Sequence, residues 1–386
     1  MATHPVQYQV PWYRTLAARQ DVELTVYFAL LPTPAQQGVD FGIDFTWDVP
    51  LLDGYRWKAL HNTVRTPALR GFFSSRTPGI AGVLARDRPD TVIVSGWHAW
   101  SLLQAVRACG RLGIPCLVRG ESSGLFLRPW WARAIHRRLL VRFDAYLAIG
   151  AANREFYLQN GVPPERIFPV PYFADNDRFV EQAARWRPER ASIRAEWGLA
   201  PDDVCFLFAG KLVPKKRVLD FLAACEVARR GTPEIRALVV GTGEMDVEAR
   251  RFAGQRGLRT VFAGFLNQSE ISRAYVAADF LVLPSDYGET WGLVVNEAML
   301  HGLPAIVSDR VGCGPDLVED GVTGRVFPFG DLGALTRAMV EAAADPDRRR
   351  EMGRRARLRV EAYSAERAVD GTLEAVAFVA RGRVGV

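Results

Sequence analysis

Residues 285–300 read SDYGETWGLVVNEAML and set two carboxylates, Glu289 and Glu297, eight positions apart. Gly288 and Gly292 break the chain on either side of Glu289, and from about Leu293 the pattern turns helical, with His301-Gly302 as a stop signal. The apolar run DFLVLP (279–284) before them reads as a buried strand. Glu289 is therefore expected on a strand-to-helix loop, and Glu297 about a turn and a half inside the helix. Taken alone, such a pair is better explained as one solvated loop residue and one exposed helix residue.

Three more loops carry chemistry of a second kind. GKLVPKKR (210–217), GTGEMD (241–246) and AGFLNQ (263–268) each follow a strand-like run, as SDYGETWG (285–292) does. Parallel α/β sheets bind ligands beyond the carboxyl ends of their strands, so all four loops are expected on one edge. Lys211, Lys215, Lys216 and Arg217, glycine backbone and a helix N-terminus near Gly292 would meet there. Cations, free N–H groups and the positive end of a helix are what a diphosphate requires.

The elements that must position these groups alternate twice over. Strand-like runs lie at 22–30, 91–95, 115–119, 145–149 and 167–170, and again at 204–210, 236–241, 260–264, 279–284 and 304–309, with helix-length segments between. That pattern means βαβ units and parallel sheets. The 386 residues exceed what one core usually supports. The expected organisation is a first domain over 1–172, a second over 173–364, and a terminal helix over 365–386 returning to the first domain. PVPYFADNDRF (169–179) reads as the linker. The chain opens on THPVQYQVPWYRTLAAR, a turn followed by a helix where a doubly wound domain should start on a strand, so the first strand is expected to be missing and Met1 to be an internal methionine.

Composition is that of a globular protein, 49% hydrophobic and 24% charged, with no apolar run approaching a membrane span. The five cysteines form no close metal-ligand pair and are expected to be buried and reduced. Charge is uneven: residues 54–142 hold 15 basic against 3 acidic residues, which suggests that the first half faces something anionic. A nucleic-acid-binding protein is disfavoured, because no recognised binding module accompanies the charge.

The motifs GKLVPKK (210–216), VVGTGE (239–244), VFAGFL (261–266), ADFLVLPS (278–285), ETWGLVVNEAMLHGLPAIVSD (289–309) and GVTGRVFPFGD (321–331) together resemble the retaining glycosyltransferases of family four. HPVQYQVPWYRTLAAR (4–19) is similar to the opening of a subgroup that builds surface polysaccharides. The resemblance implies a GT-B fold, two Rossmann-like doubly wound domains facing a central cleft. It implies a hexosyltransferase that moves a sugar from a nucleotide-diphosphate sugar to a glycan or lipid-linked acceptor, with no metal or other cofactor. Glu289 would contact hydroxyls of the transferred sugar, and Glu297 the ribose. The backbone of Trp291, Gly292 and Leu293 would meet the diphosphate, with Lys211 and Lys216 on its other side. Phe265 and Leu266 would lie by the base, and Gly210 and Thr290 would complete the donor site. The family usually has arginine where Lys211 stands, so a forked grip is replaced by a point charge.

On the acceptor side the resemblance is looser. Many relatives carry a histidine where this chain has VRGESSG (118–124), so Arg119 and Glu121 are candidates there, with His98 of SGWHAW (95–100) as another catalytic candidate and Gln7 as an acceptor contact. The Asp-Asn-Asp triplet at 175–177 lies in the expected linker and is not read as a metal site. A GT-B epimerase or phosphorylase, or an inactive nucleotide-sugar-binding protein, stays open beside transfer.

LFLRPWWARAIHRRLLVRF (125–143) sets Arg128, Arg133, Arg137, Arg138 and Arg142 among Phe126, Leu127, Trp130, Trp131, Ile135, Leu139 and Leu140, with no acidic residue. Arginine beside tryptophan and leucine is the composition of a helix lying in an anionic interface. An amphipathic helix on its own sheet has the same composition. The expected location is cytoplasmic, with peripheral attachment to the inner face of the cell membrane.

Overall fold

The computed structural model describes residues 1–125 and 128–384, so Phe126 and Leu127 of the arginine-rich stretch lie outside the described residues. Among the described residues three parallel sheets, of two, four and six strands, divide between two units. The first unit contains β1 (Thr25–Phe28) and β2 (Arg56–Ala59), then β3 (Val92–Val94), β4 (Cys116–Val118), β5 (Ala145–Ala148) and β6 (Ile167–Pro169), the last four in that order. The second unit contains β7 (Val204–Ala209), β8 (Ile235–Val240), β9 (Thr260–Gly264), β10 (Phe280–Leu283), β11 (Ala305–Ser308) and β12 (Gly324–Phe327), ordered β12-β11-β10-β7-β8-β9.

Every residue of β7 and of β8 is buried, as expected of central strands covered on both faces by crossover helices. Successive side chains go to opposite faces. Cys205, Leu207 and Ala209 enter one core, and Val204, Phe206 and Phe208 the other. The helices Ile271–Ala277 and Leu293–Leu300 close the first core, while Val218–Ala228 and Leu332–Ala344 close the second. The chain runs outward from β7 in one direction through β8 and β9, and in the other through β10, β11 and β12. The switch point between β7 and β10 is where a crevice opens at the carboxyl edge.

Met1 and Ala2 lie between β1 and β3. The Ala2 N–H donates to the Tyr27 carbonyl at 2.9 Å and the Ala2 carbonyl accepts from Ala29, while Ser95 N–H donates to the Met1 carbonyl at 3.0 Å. Two residues thus occupy the central-strand position and join β1–β2 to β3–β6.

The segment 170–175 is not a solvated linker, because Val170, Tyr172, Phe173 and Ala174 are all buried. The terminal helix Ala365–Val384 packs on the first unit. Its Ala368, Val369 and Ala375 share a core with Trp12, Tyr13 and Leu147, and Trp12 Nε1 donates to Thr372 Oγ1 at 3.2 Å. Gly371 permits this approach, since a Cβ there would lie 1.9 Å from the Pro169 carbonyl oxygen. Among the described residues no helix is long and apolar enough to cross a membrane. All five cysteines are buried and free of disulfides.

Candidate functional site

The loops after β7 and β10 flank the switch point and touch. Asp286 N–H donates to the Lys215 carbonyl at 3.0 Å, and Lys215 Nζ donates to the Gly288 carbonyl at 3.1 Å. Between them Lys216 Nζ pairs with Glu289 Oε2, both side chains only 12% exposed. Burial alone would push the Glu289 carboxyl upward; Lys216, with Lys215 beyond it, reverses this and holds it below the usual range. Glu289 is therefore ionised at neutral pH.

Lys216 owes its position to a strained turn. Arg217 sits in the left-handed region at φ 59°, uncommon for a residue with a Cβ. A two-point grip of its guanidinium on Asp220, at 2.8 and 3.0 Å, holds the conformation as the helix Val218–Ala228 begins. The neighbouring glycines are equally constrained. Gly210 and Gly241 have φ of 141° and 121°, and a Cβ on Gly241 would lie 1.9 Å from the Gly210 carbonyl oxygen.

Gly292 caps the helix Leu293–Leu300 at φ 103°. The first N–H groups of a helix have no partner one turn back within it, so those at the start of this one are donors for an outside acceptor. The Trp291 side chain is turned away from it: it is 3% exposed, donates to Asn296 Oδ1 at 2.8 Å and packs against Tyr172 and Tyr363. Only its backbone is available, as is that of Thr290, whose carbonyl crowds Gly312.

Glu297 is 2% exposed rather than at the helix surface. Tyr8 donates to its Oε1 at 2.7 Å across the cleft, and Tyr275 donates to its Oε2 at 2.5 Å. Burial holds its carboxyl above the usual value, against the pull of both hydroxyls. Tyr8 stands in the quoted opening motif and Tyr275 in the helix Ile271–Ala277, yet nothing local in the sequence aims either of them at Glu297.

Lys211 Nζ binds Asp40 Oδ2 at 2.6 Å and lies 5.1 Å from the Phe41 ring centre. Phe265 is covered by first-unit rings, Phe45 at 4.5 Å and Phe41 at 5.1 Å. Leu266 is half-buried against the second-unit core. The segment supplying Asp40, Phe41 and Phe45 was not singled out from the sequence.

The acceptor-side candidates are placed apart. His98, His4 and Arg70 line a cavity of about 260 Å³ on the first unit. Burial pushes His4 down to about 4, with His98 and Lys211 adding to the effect, and burial also lowers His98, opposed by Glu121. His98 is exposed. Glu121 is exposed and accepts from the Tyr172 hydroxyl at 2.8 Å. Arg119 is 4% exposed between the rings of Trp12 (5.1 Å) and Tyr172 (4.5 Å), so its guanidinium supports the site from behind and does not line its surface. Gln7 is 9% exposed.

A family model described as glycosyl transferases group 1 matches residues 189–359, and one described as glycosyl transferase 4-like domain matches residues 6–172. A D-inositol 3-phosphate glycosyltransferase of Nocardia farcinica is 34% identical over 308 residues, covering 77% of this chain and 63% of that protein. A sulfoquinovosyl transferase of Arabidopsis thaliana is 26% identical over 310 residues, covering 74% of this chain and 56% of that protein. The chain thus spans less than two thirds of the length of these curated relatives. Among solved structures, Anabaena HepE in complex with UDP matches with a TM-score of 0.72 at 17% identity, covering 97% of this chain and 98% of that one. Sucrose-phosphate synthase from Thermosynechococcus elongatus matches with a TM-score of 0.67 at 21% identity, covering 96% and 92%. At such identities the structural likeness speaks for the fold alone.

Proposed function

The chain belongs to the glycosyl transferases group 1 family, and from that premise we propose that it transfers a hexose from a nucleotide-diphosphate sugar to a hydroxyl of a glycan or lipid-linked acceptor, with retention at the anomeric carbon, in surface polysaccharide or glycolipid synthesis. The observation that carries this is the seating of Lys216 against an ionised Glu289 at the β7/β10 switch point, beside the free N-terminus of Leu293–Leu300.

In this reading the bond from the sugar C1 to the diphosphate breaks and its electron pair leaves with the phosphate oxygen. The acceptor oxygen attacks C1 from the same face and its proton passes to that oxygen. Lys211, Lys216 and the helix N–H groups meet the charge that develops, without a metal; each charge-assisted contact contributes roughly 1.5–3 kcal/mol. Glu289 orients hydroxyls of the moving sugar. Glu297 takes the ribose, whose hydroxyls replace the Tyr8 contact across the cleft. Phe265 and Leu266 flank the base. The cavity at His98 and His4 receives the acceptor, where neutral imidazoles accept hydrogen bonds from hydroxyls.

Thermal shifts against UDP, GDP and ADP sugars test the donor, with UDP first because HepE was solved with it. Incubation with and without acceptor separates transfer from epimerisation or phosphorolysis. The expected result is stabilisation by one donor class and acceptor-dependent release of its nucleotide diphosphate. Glu289→Gln should keep donor binding while losing most turnover. An epimerised donor formed without acceptor would overturn the reading.

The acceptor side suits a peripheral position on the cytoplasmic membrane face. On the helix Trp130–Leu140 and just beyond it, Trp130, Trp131, Ile135 and Val141 are 80, 55, 57 and 81% exposed, interleaved with exposed Arg137, Arg138 and Arg142. Arg128 and Arg133 instead turn inward, to the Ser123 and Gln159 carbonyls. Each basic residue at an anionic surface adds about 1 kcal/mol. The protein is expected to sediment with anionic vesicles at low salt, and Arg137, Arg138 and Arg142→Glu to abolish this with donor binding intact. Absence of low-salt sedimentation would point to a soluble acceptor.

A further inference from the structure

A strap from the first unit, residues 40–48, crosses the cleft and lies on the loops of the second. Thr242 Oγ1 donates to the Phe41 carbonyl at 2.7 Å, Asn267 Nδ2 donates to the Thr46 carbonyl at 2.7 Å, and Ser269 N–H donates to Asp48 Oδ2 at 3.1 Å. With Phe41 and Phe45 on Phe265, the strap is anchored on the loops after β8 and β9. That anchoring sets the position of Asp40 on the loop after β7. The Asp40 side chain is 14% exposed, its Oδ2 holds Lys211 Nζ at 2.6 Å, and its Oδ1 pairs with Arg70. Arg70 in turn lines the His4–His98 cavity.

We propose that Asp40 is a positioning residue joining the two half-sites: it occupies Lys211 while the donor is absent, yields Lys211 to an incoming diphosphate, and stays with Arg70 at the wall of the acceptor cavity. This rests on the donor reading above. A carboxylate and a diphosphate compete for one ammonium, because holding both at that distance sets like charges against each other. The donor must therefore displace Asp40, and the displaced carboxylate remains tethered on the acceptor side. A residue that merely stabilised the strap would, when replaced, weaken both half-sites together. A competing carboxylate has opposite effects on the two.

The test measures binding of UDP, GDP and ADP to the full chain by calorimetry, and acceptor KM with the donor that is used. Asp40→Asn is expected to tighten nucleotide diphosphate binding about tenfold, 1.4 kcal/mol, while raising acceptor KM severalfold. In a Lys211→Ala background the same change should leave nucleotide binding unaltered. Asp40→Ser supplies a second neutral variant should Asp40→Asn fold poorly. If neutral variants bind nucleotide no better than the wild type while Lys211→Ala still weakens it, the inference falls and the donor reading stands. If Lys211→Ala binds as the wild type does, Lys211 is no donor ligand, so the inference falls and the donor reading rests on Lys216 and Glu289 without it.

Discussion

Lys216→Ala is expected to lower kcat/KM by about 10²–10³-fold, the usual loss when one preorganised charge donor is removed from a developing anion. Because its partner is buried, the change should also destabilise the fold. Glu289 would be left as an uncompensated carboxylate, a loss that costs roughly 3–5 kcal/mol when a fully buried pair is broken. The 12% exposure of both side chains moves the expected value to the lower end of that range. Two measurements separate the effects. Adding Glu289→Gln to Lys216→Ala removes the stranded charge, so the melting temperature should recover while turnover does not. Lys216→Ala with wild-type turnover would remove Lys216 from the chemistry, and full stability would mean that water replaces it at Glu289.

Glu297→Ala is expected to weaken nucleotide diphosphate binding by about 10–100-fold, from loss of charge-assisted contacts at roughly 1.5–3 kcal/mol each. It also strands two buried phenols, since Tyr8 and Tyr275 both donate to this carboxylate. A buried donor without an acceptor costs about 1–3 kcal/mol, so a clear drop in melting temperature should accompany the binding defect. Glu297→Gln keeps an acceptor oxygen and the side-chain volume. It should regain most of the stability and only part of the affinity. Wild-type nucleotide affinity in Glu297→Ala would end its assignment to the ribose, whatever the melting temperature showed.

The two stretches that escaped the sequence reading show where its signal stops. β2 is RWKA, with three of four residues exposed, and β12 is GRVF at the far edge of its sheet. Neither carries an apolar run: β2 is largely exposed, and β12 offers only Val326 and Phe327, one to each core of its unit. The interior strands were legible for the opposite reason. The buried placement of Glu297 was not, since a helix with weak facial bias does not disclose which of its faces meets the other domain.

By itself the sequence determined the double α/β alternation, the four loops at one sheet edge, the helix starting after Gly292, and the family that these motifs resemble. Those properties depend on burial period and backbone freedom, which neighbouring residues set among themselves. Tertiary structure decided which side chains meet. Asp40, Asp44 and Asp48 stand in one run, FGIDFTWD preceded by VD, with nothing local to rank them. Only the crossing of the strap puts Asp40 on Lys211, and Asp48 on Ser269. The same holds for Tyr8 and Glu297, 289 residues apart. Such pairs form when two separately folded units close on each other, and the packing of one unit against the other is not encoded in the periodicity of either.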